Sequence, residues 1–208
     1  RLNYDRVALS GKEAVDLIDN KLRHAVEYQM ISDVPLGAYL SGGIDSSLLV
    51  AMMAGVSDRP IETFSIVWDK ESKAFDERKY ARFVVEKFRT NHHEFLVKPE
   101  IEDVLGKIVK SFDEPFADDS AIPNYYIARE TRRHVTVALS GLGGDEMSAG
   151  YERYLGMKFL RYYRALPAKI RRELMHLVYR IPDSETGSLW IERVKRFARI
   201  SDLGFADT

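Results

Sequence analysis

The chain has 208 residues, 31 Lys and Arg against 32 Asp and Glu, 45% hydrophobic and 30% charged residues, as an ordinary globular protein with one sizeable core and an appendage would. The balanced charge removes the electrostatic case for nucleic acid or an acidic membrane surface, and no apolar run reaches the roughly 20 residues that span a bilayer. Cysteine is absent, which excludes disulfides, thiolate metal sites and a cysteine nucleophile within the chain, and makes the cytoplasm the default location.

In chain order, Ser10 followed by Glu13 reads as a capping box, and Ala14, Leu17, Ile18, Leu22, Val26 and Met30 repeat behind it at helical spacing. Ser32, Asp33 and Pro35 interrupt that helix, and 36–40 form a short apolar run suited to a strand buried on both faces. A helix over 48–54 precedes Gly55, and IETFSIVW (61–68) reads as a second strand. Residues 76–89 form a helix expected to bury Tyr80, Phe83, Val84 and Phe88, and HHEFLV (92–97) a third strand. Helices at 101–112 and 124–133 precede a fourth strand at 135–139. Strands alternating with helices imply an α/β fold, an open and mainly parallel sheet with helices on both faces. Beyond Tyr151 the pattern is helical only and rich in Arg and Lys, so the expected organisation is a domain over 1–150 and a helical extension over 151–208.

Two glycine-rich loops follow predicted strands. In SGGIDSS (41–47), Gly42 and Gly43 let the backbone approach a ligand, and the amides of the turn and of the next helix form an anion nest, with Ser41, Ser46 and Ser47 adding hydroxyls. Polyphosphate uses all of these donors. Asp45 would repel it unless a cation lies between, and magnesium, which shares its coordination between carboxylates and phosphate oxygens, resolves the conflict; the plainer alternative is that Asp45 caps the helix. The second loop, ALSGLGGDE (138–146), brings Asp145 and Glu146 to the same sheet edge, so Asp45 and Asp145 are the candidate magnesium ligands. Neither loop fits a P-loop or a dinucleotide fingerprint. His92 and His93, adjacent on a strand, point to opposite faces and read as structural.

SGGIDSS resembles the SGGxDS pyrophosphate loop of the ATP pyrophosphatases. With SDVPLGAYL, FDEPFADDSAIPNYY (112–126) and VALSGLGGDEMSAGYERY (137–154), it resembles the synthetase domain of glutamine-hydrolysing asparagine synthetase over about residues 10–155. The resemblance implies ATP and Mg2+, with Ser41, Gly42, Gly43, Asp45 and Ser46 on the pyrophosphate and Leu40, Ile66, Ser140 and Gly141 around the adenosine. For Leu40 and Ile66 plain strand packing is the competing reading. Aspartate, or another small carboxylate, would be adenylated and then attacked by ammonia. Asp113, Glu114, Asp118 and Asp119 are placed at the substrate pocket or, equally, in loop capping.

Three departures stand beside the resemblance. The family's glutaminase half is not in this sequence, so the partner supplying ammonia would lie elsewhere in a longer chain, as the start at Arg1 in place of Met also fits. Leu142 stands where the family usually has an acid, and a leucine accepts no proton. A lysine that the family places on pyrophosphate is not identifiable. The expectation is weak magnesium-ATP binding and poor turnover by this chain alone, a homodimer being one open assembly. A β-lactam-synthetase-like acceptor and a nucleotide module without catalysis are the alternatives.

Overall fold

The structure is a computed structural model that describes residues 8–68, 78–97, 101–112, 118, 120–181, 191 and 193–197. The chain divides into two compact units, Arg1–Leu142 and Gly143–Thr208. The first contains α1 (Gly11–Gln29), β1 (Leu36–Tyr39), α2 (Ile44–Val56), β2 (Glu62–Trp68), α3 (Arg78–Phe88), β3 (Asn91–Val97), α4 (Ile101–Ser111), α5 (Ala121–Thr131) and β4 (Val137–Leu139). The second contains α6 (Gly144–Ser148), α7 (Glu152–Arg164) and α8 (Ala168–Arg180). No helix among the described residues is long and apolar enough to cross a membrane.

All pairings in the sheet are parallel, in the order β3-β2-β1-β4. Because Ala38 lies beside Thr63 and Thr63 beside His92, these residues share one face with Leu40 and Leu139. That face carries Val50 and Met53 of α2, Ala81 and Val84 of α3, and Val26 of α1 with Met30 just after it. The other face presents Ile66 and Val97 to Val104 and Ile108 of α4 and to Ala121 and Tyr126 of α5. The expected α/β class, with helices on both faces, is therefore the one observed. From β1 the chain steps outward to β2 and β3 through α2 and α3, then returns through α4 and α5 on the opposite face to set β4 on the other side of β1. The sheet reverses direction between β1 and β4, and in such sheets ligands sit beyond the strand ends at that reversal.

Most elements lie where their apolar periodicity places them, and the Ser10–Glu13 capping box opens α1. Two expectations are corrected. Tyr80 and Phe83 are 55% and 62% exposed, so they are not core, whereas Val84 is buried as expected with Ala81, and Phe88 packs partly against the core. The second helix begins at Ile44, earlier than its apolar residues indicate, because Asp45, Ser46 and Ser47 form its first turn, where polar residues are well tolerated. Met52 and Met53 are core as expected. Asp113, Glu114 and Asp119 lie outside the described residues.

Gly37 shows how closely β1 and β2 approach. A Cβ built there would stand 2.6 Å from the Glu62 carbonyl oxygen and 2.7 Å from the ring of Phe64, which is fully buried. Neither neighbour can yield cheaply, so Gly37→Ala is expected to cost about 1–3 kcal/mol. Denaturant unfolding should show a lower midpoint at unchanged slope.

The adjacent histidines do point to opposite faces. His93 Nε2 is 2.7 Å from Glu62 Oε2, and its ring stacks on Phe64 at 5.2 Å. His92 Nδ1 lies 3.0 Å from Thr63 Oγ1, while its buried Nε2 has no hydrogen-bond partner and the Glu94 carboxylate is 3.8 Å away. Glu94 is itself gripped by Arg82 of α3 at 2.9 and 2.8 Å, which holds its carboxyl below the usual range. Burial lowers the His92 pKa in spite of Glu94, so the folded protein keeps the ring neutral where the unfolded chain takes up a proton. The stability His92 contributes is complete above about pH 6.5 and is lost as the pH falls below it toward the depressed folded value. Unfolding curves between pH 7.5 and 5.5 should show this loss, and His92→Gln should flatten it.

Candidate functional site

Immediately after β1 the chain makes a turn that only glycine fits comfortably. Gly42 has φ of 90°, in the left-handed region, and Gly43 is the N-cap of α2 with no side-chain cap bond. Asp45 therefore sits within the first turn and is not the cap. The first intrahelical bond runs from the Ser47 amide to the Gly43 carbonyl at 3.1 Å, which leaves the amides of Ile44, Asp45 and Ser46 without intrahelical acceptors. These point out of the positive end of α2, where an anion is stabilised by about 0.3–2 kcal/mol.

The serines organise this turn. Ser46 is 7% exposed, and its hydroxyl donates to the Gly43 carbonyl at 3.2 Å and accepts from the Ser41 amide at 3.3 Å. The Ser41 and Ser46 hydroxyl oxygens are 3.0 Å apart, and Ser41 Oγ accepts the Gly43 amide at 3.1 Å. With the Ser46 proton on Gly43, the Ser41 proton falls to Ser46. Both hydroxyls are thus spent on holding the loop, and the free donors are backbone amides. Just upstream, Leu40 is 1% exposed; its amide donates to Phe64 O at 2.8 Å, and its carbonyl accepts a short bond from the buried Ser65 hydroxyl. Ser65 fixes the strand end that launches the loop, a role whose one trace in the sequence is a serine inside the apolar run ETFSIVW. Leu40 and Ile66 point to opposite sheet faces, Leu40 fully packed and Ile66 partly so.

β4 carries Ser140, Gly141 and Leu142 to the same edge. A Cβ on Gly141 would stand 2.8 Å from the Ser46 amide nitrogen and 3.1 Å from Asp45 backbone and side-chain carbon, so the two loops touch through a gap that only a glycine leaves open. The β4 loop thus lies against the amide end of α2, with no room for a side chain at Gly141. Ser140 Oγ takes the Leu142 amide at 3.5 Å, a weak bond. Asp118 accepts the Ser120 amide at 2.9 Å beside the start of α5, the capping alternative foreseen for it.

The second unit starts on Gly143, at φ of 91°, and carries Asp145 and Glu146 in the first turn of α6. The Asp145 carboxylate lies over Gly150, where a Cβ would collide with it, and Glu146 accepts a short hydrogen bond from the Tyr151 hydroxyl. Asp45 and Asp145 thus belong to different units. Among the described residues no three His, Asp or Glu side chains are grouped as a metal site. An ion held by one or two carboxylates would complete its shell with phosphate oxygens and water, which suits magnesium arriving on a nucleotide.

The family model described as asparagine synthase matches residues 17–204. A Methanocaldococcus jannaschii relative named for glutamine-hydrolysing asparagine synthetase is 41% identical over 152 residues, 72% of this chain and 29% of that protein. Asparagine synthetase 1 of Bacillus subtilis, also named as glutamine-hydrolysing, is 34% identical over 194 residues, 93% of this chain and 30% of its own length. A glutamine-dependent NAD+ synthetase from Acinetobacter baumannii, solved with adenosine diphosphate, is similar at a TM-score of 0.48 and 16% identity, over 96% of this chain and 45% of that one. The chain spans less than a third of the length of each of these two curated relatives. With a model match over most of its length and a glycine turn set against an uncapped helix at the sheet reversal, the chain belongs to the asparagine synthase family.

Proposed function

We propose that this chain is the nucleotide-binding and carboxylate-activating part of an ATP-dependent amide-forming ligase. The observation that carries the reading is the amide end of α2, left without a side-chain cap and faced by Gly141 across a gap a Cβ would close. A helix end built this way is satisfied by an anion. The triphosphate would lie along Ser41, Gly42, Gly43 and Ser46, with the amides of Ile44, Asp45 and Ser46 turned to the departing pyrophosphate. Ile66, Ser140 and Gly141 would border the adenosine, and Leu40 would support it from within the core.

In the activating step a substrate carboxylate oxygen bonds to the α-phosphorus and the bond to pyrophosphate breaks. Charge accumulates on the pyrophosphate oxygens, so donors fixed beforehand lower that barrier, and each is worth about 2.7–4 kcal/mol at such sites. Asp45 and Asp145 are the proposed magnesium-holding carboxylates. Magnesium, when bound, neutralises part of the phosphate charge. A nitrogen nucleophile then displaces AMP to leave an amide. The relatives' names point to asparagine as product, hence to aspartate as the carboxylate and glutamine as nitrogen source.

An ATP–pyrophosphate exchange assay scanned across amino acids tests this reading. Exchange that depends on aspartate, or on another small carboxylate, is the expected result. ATP binding with no exchange for any carboxylate would leave a nucleotide module and remove the ligase.

A further inference from the structure

The first carbonyl beyond β1 is satisfied by a side chain where the sheet would have used an amide. In the register that pairs Tyr39 with Phe64, the Leu40 amide donates to Phe64 O at 2.8 Å. One further rung of a parallel ladder would bring the Ile66 amide onto the Leu40 carbonyl. Among the described residues that rung is absent: the ladder stops at Tyr39, and the Leu40 carbonyl accepts the hydroxyl of Ser65, which is 8% exposed. Alternate residues of β2 address alternate neighbours, Ile61 taking the Asn91 amide of β3 and Phe64 the Leu40 amide, so the backbone of Ile66 faces the β1 side. The Ile66 amide is thus partly buried and turned toward a strand that has already ended.

We propose that Ser65 is a positioning residue for the nucleotide: by occupying the Leu40 carbonyl, its hydroxyl keeps the Ile66 amide out of the ladder and open to an acceptor atom of the base. The inference rests on the nucleotide-binding reading above, in which Ile66 borders the adenosine, and it adds what holds that border open. A backbone amide away from bulk water needs a partner. With the hydroxyl in place the ladder does not supply one, and a ring nitrogen of the base does. Without the hydroxyl, the Leu40 carbonyl and the Ile66 amide satisfy each other, the pairing of β1 with β2 lengthens by one rung, and the base loses its donor. The phosphates lose nothing, because the turn at 41–47 is held by its own serines.

Hydrogen exchange at the Ile66 amide, read by NMR on the full chain, is the test. Without nucleotide that amide should exchange fast; magnesium-ATP should slow it at least about tenfold, and magnesium tripolyphosphate, which lacks the base, should not. Ser65→Ala should slow it with no nucleotide present, the opposite of what a merely loosened strand would do. Ser65→Thr, which keeps the donor, should leave it fast. In titrations Ser65→Ala should bind magnesium-ATP about three- to tenfold more weakly, with magnesium tripolyphosphate held within about twofold of the unaltered chain. An Ile66 amide already slow in the free protein, fast in Ser65→Ala or slow in Ser65→Thr overturns the proposal, as does an equal loss of affinity for ATP and tripolyphosphate. Should Ser65→Ala fail to fold, the unaltered chain decides. ATP that slows the amides of Ile44, Asp45 and Ser46 but not that of Ile66 overturns the role of Ser65 and leaves the nucleotide site standing. ATP that slows none of them removes the nucleotide reading itself.

Discussion

Gly141→Ala is expected to weaken ATP binding by about 10- to 100-fold while leaving the fold intact. The added methyl would come 2.8 Å from the Ser46 amide nitrogen and 3.1 Å from the Asp45 carbonyl carbon. Backbone atoms of a braced loop give way poorly, since the Ser41 and Ser46 hydroxyls tie the turn to its own amides and carbonyls. Either the methyl occupies the space for a phosphate oxygen, or the β4 loop swings away and takes Ser140 with it. In both cases an amide at the end of α2 loses its ligand, and a hydrogen bond to a charged group is worth about 1.5–3 kcal/mol. Gly106→Ala is the matching control. A Cβ there meets nothing within 4 Å, and the residue lies inside α4, so the change should stabilise the chain by about 0.5–1 kcal/mol and leave ATP binding alone. Calorimetric titration with magnesium-ATP and a parallel unfolding curve decide the matter. Unaltered affinity in Gly141→Ala would mean that the nucleotide does not use the gap between the loops.

The sheet was legible because parallel strands covered on both faces must be short apolar runs, and LGAY, ETFSIVW and VAL stand out between helices for that reason. The glycines of both loops were legible as well, and Gly42 and Gly143 do adopt the left-handed backbone that justifies them. What was not legible depends on which element covers which. The period of α3 marks an apolar stripe but does not say that its packing line runs through Ala81 and Val84 and leaves Tyr80 and Phe83 in solvent. In the same way the contact of Gly141 with the Asp45–Ser46 backbone joins segments distant in sequence, and no local spacing encodes it. Serine hydroxyls read as phosphate donors turned inward, because a tight turn has amides of its own to satisfy before any ligand arrives.

Asp45→Asn should change ATP binding in opposite directions with and without magnesium. Asp45 lies in the first turn of α2, partly exposed, beside the amides assigned to phosphate. With no divalent ion present, a carboxylate there repels the triphosphate, and removing its charge should tighten metal-free ATP by roughly a factor of five once solvent screening is allowed for. With magnesium present the same carboxylate is an ion ligand, and its loss should weaken ATP and abolish pyrophosphate exchange by about 100-fold or more. The ratio of ATP affinity in magnesium to that in chelator should thus collapse toward one. A helix cap would behave otherwise, since its loss costs stability in both conditions alike. Asp145→Asn carries no such charge argument from the first unit, and it should reduce the magnesium ratio only if it holds the ion. A magnesium ratio that survives in both variants would take the two aspartates out of metal binding and leave the amide end of α2 as the whole of the phosphate site.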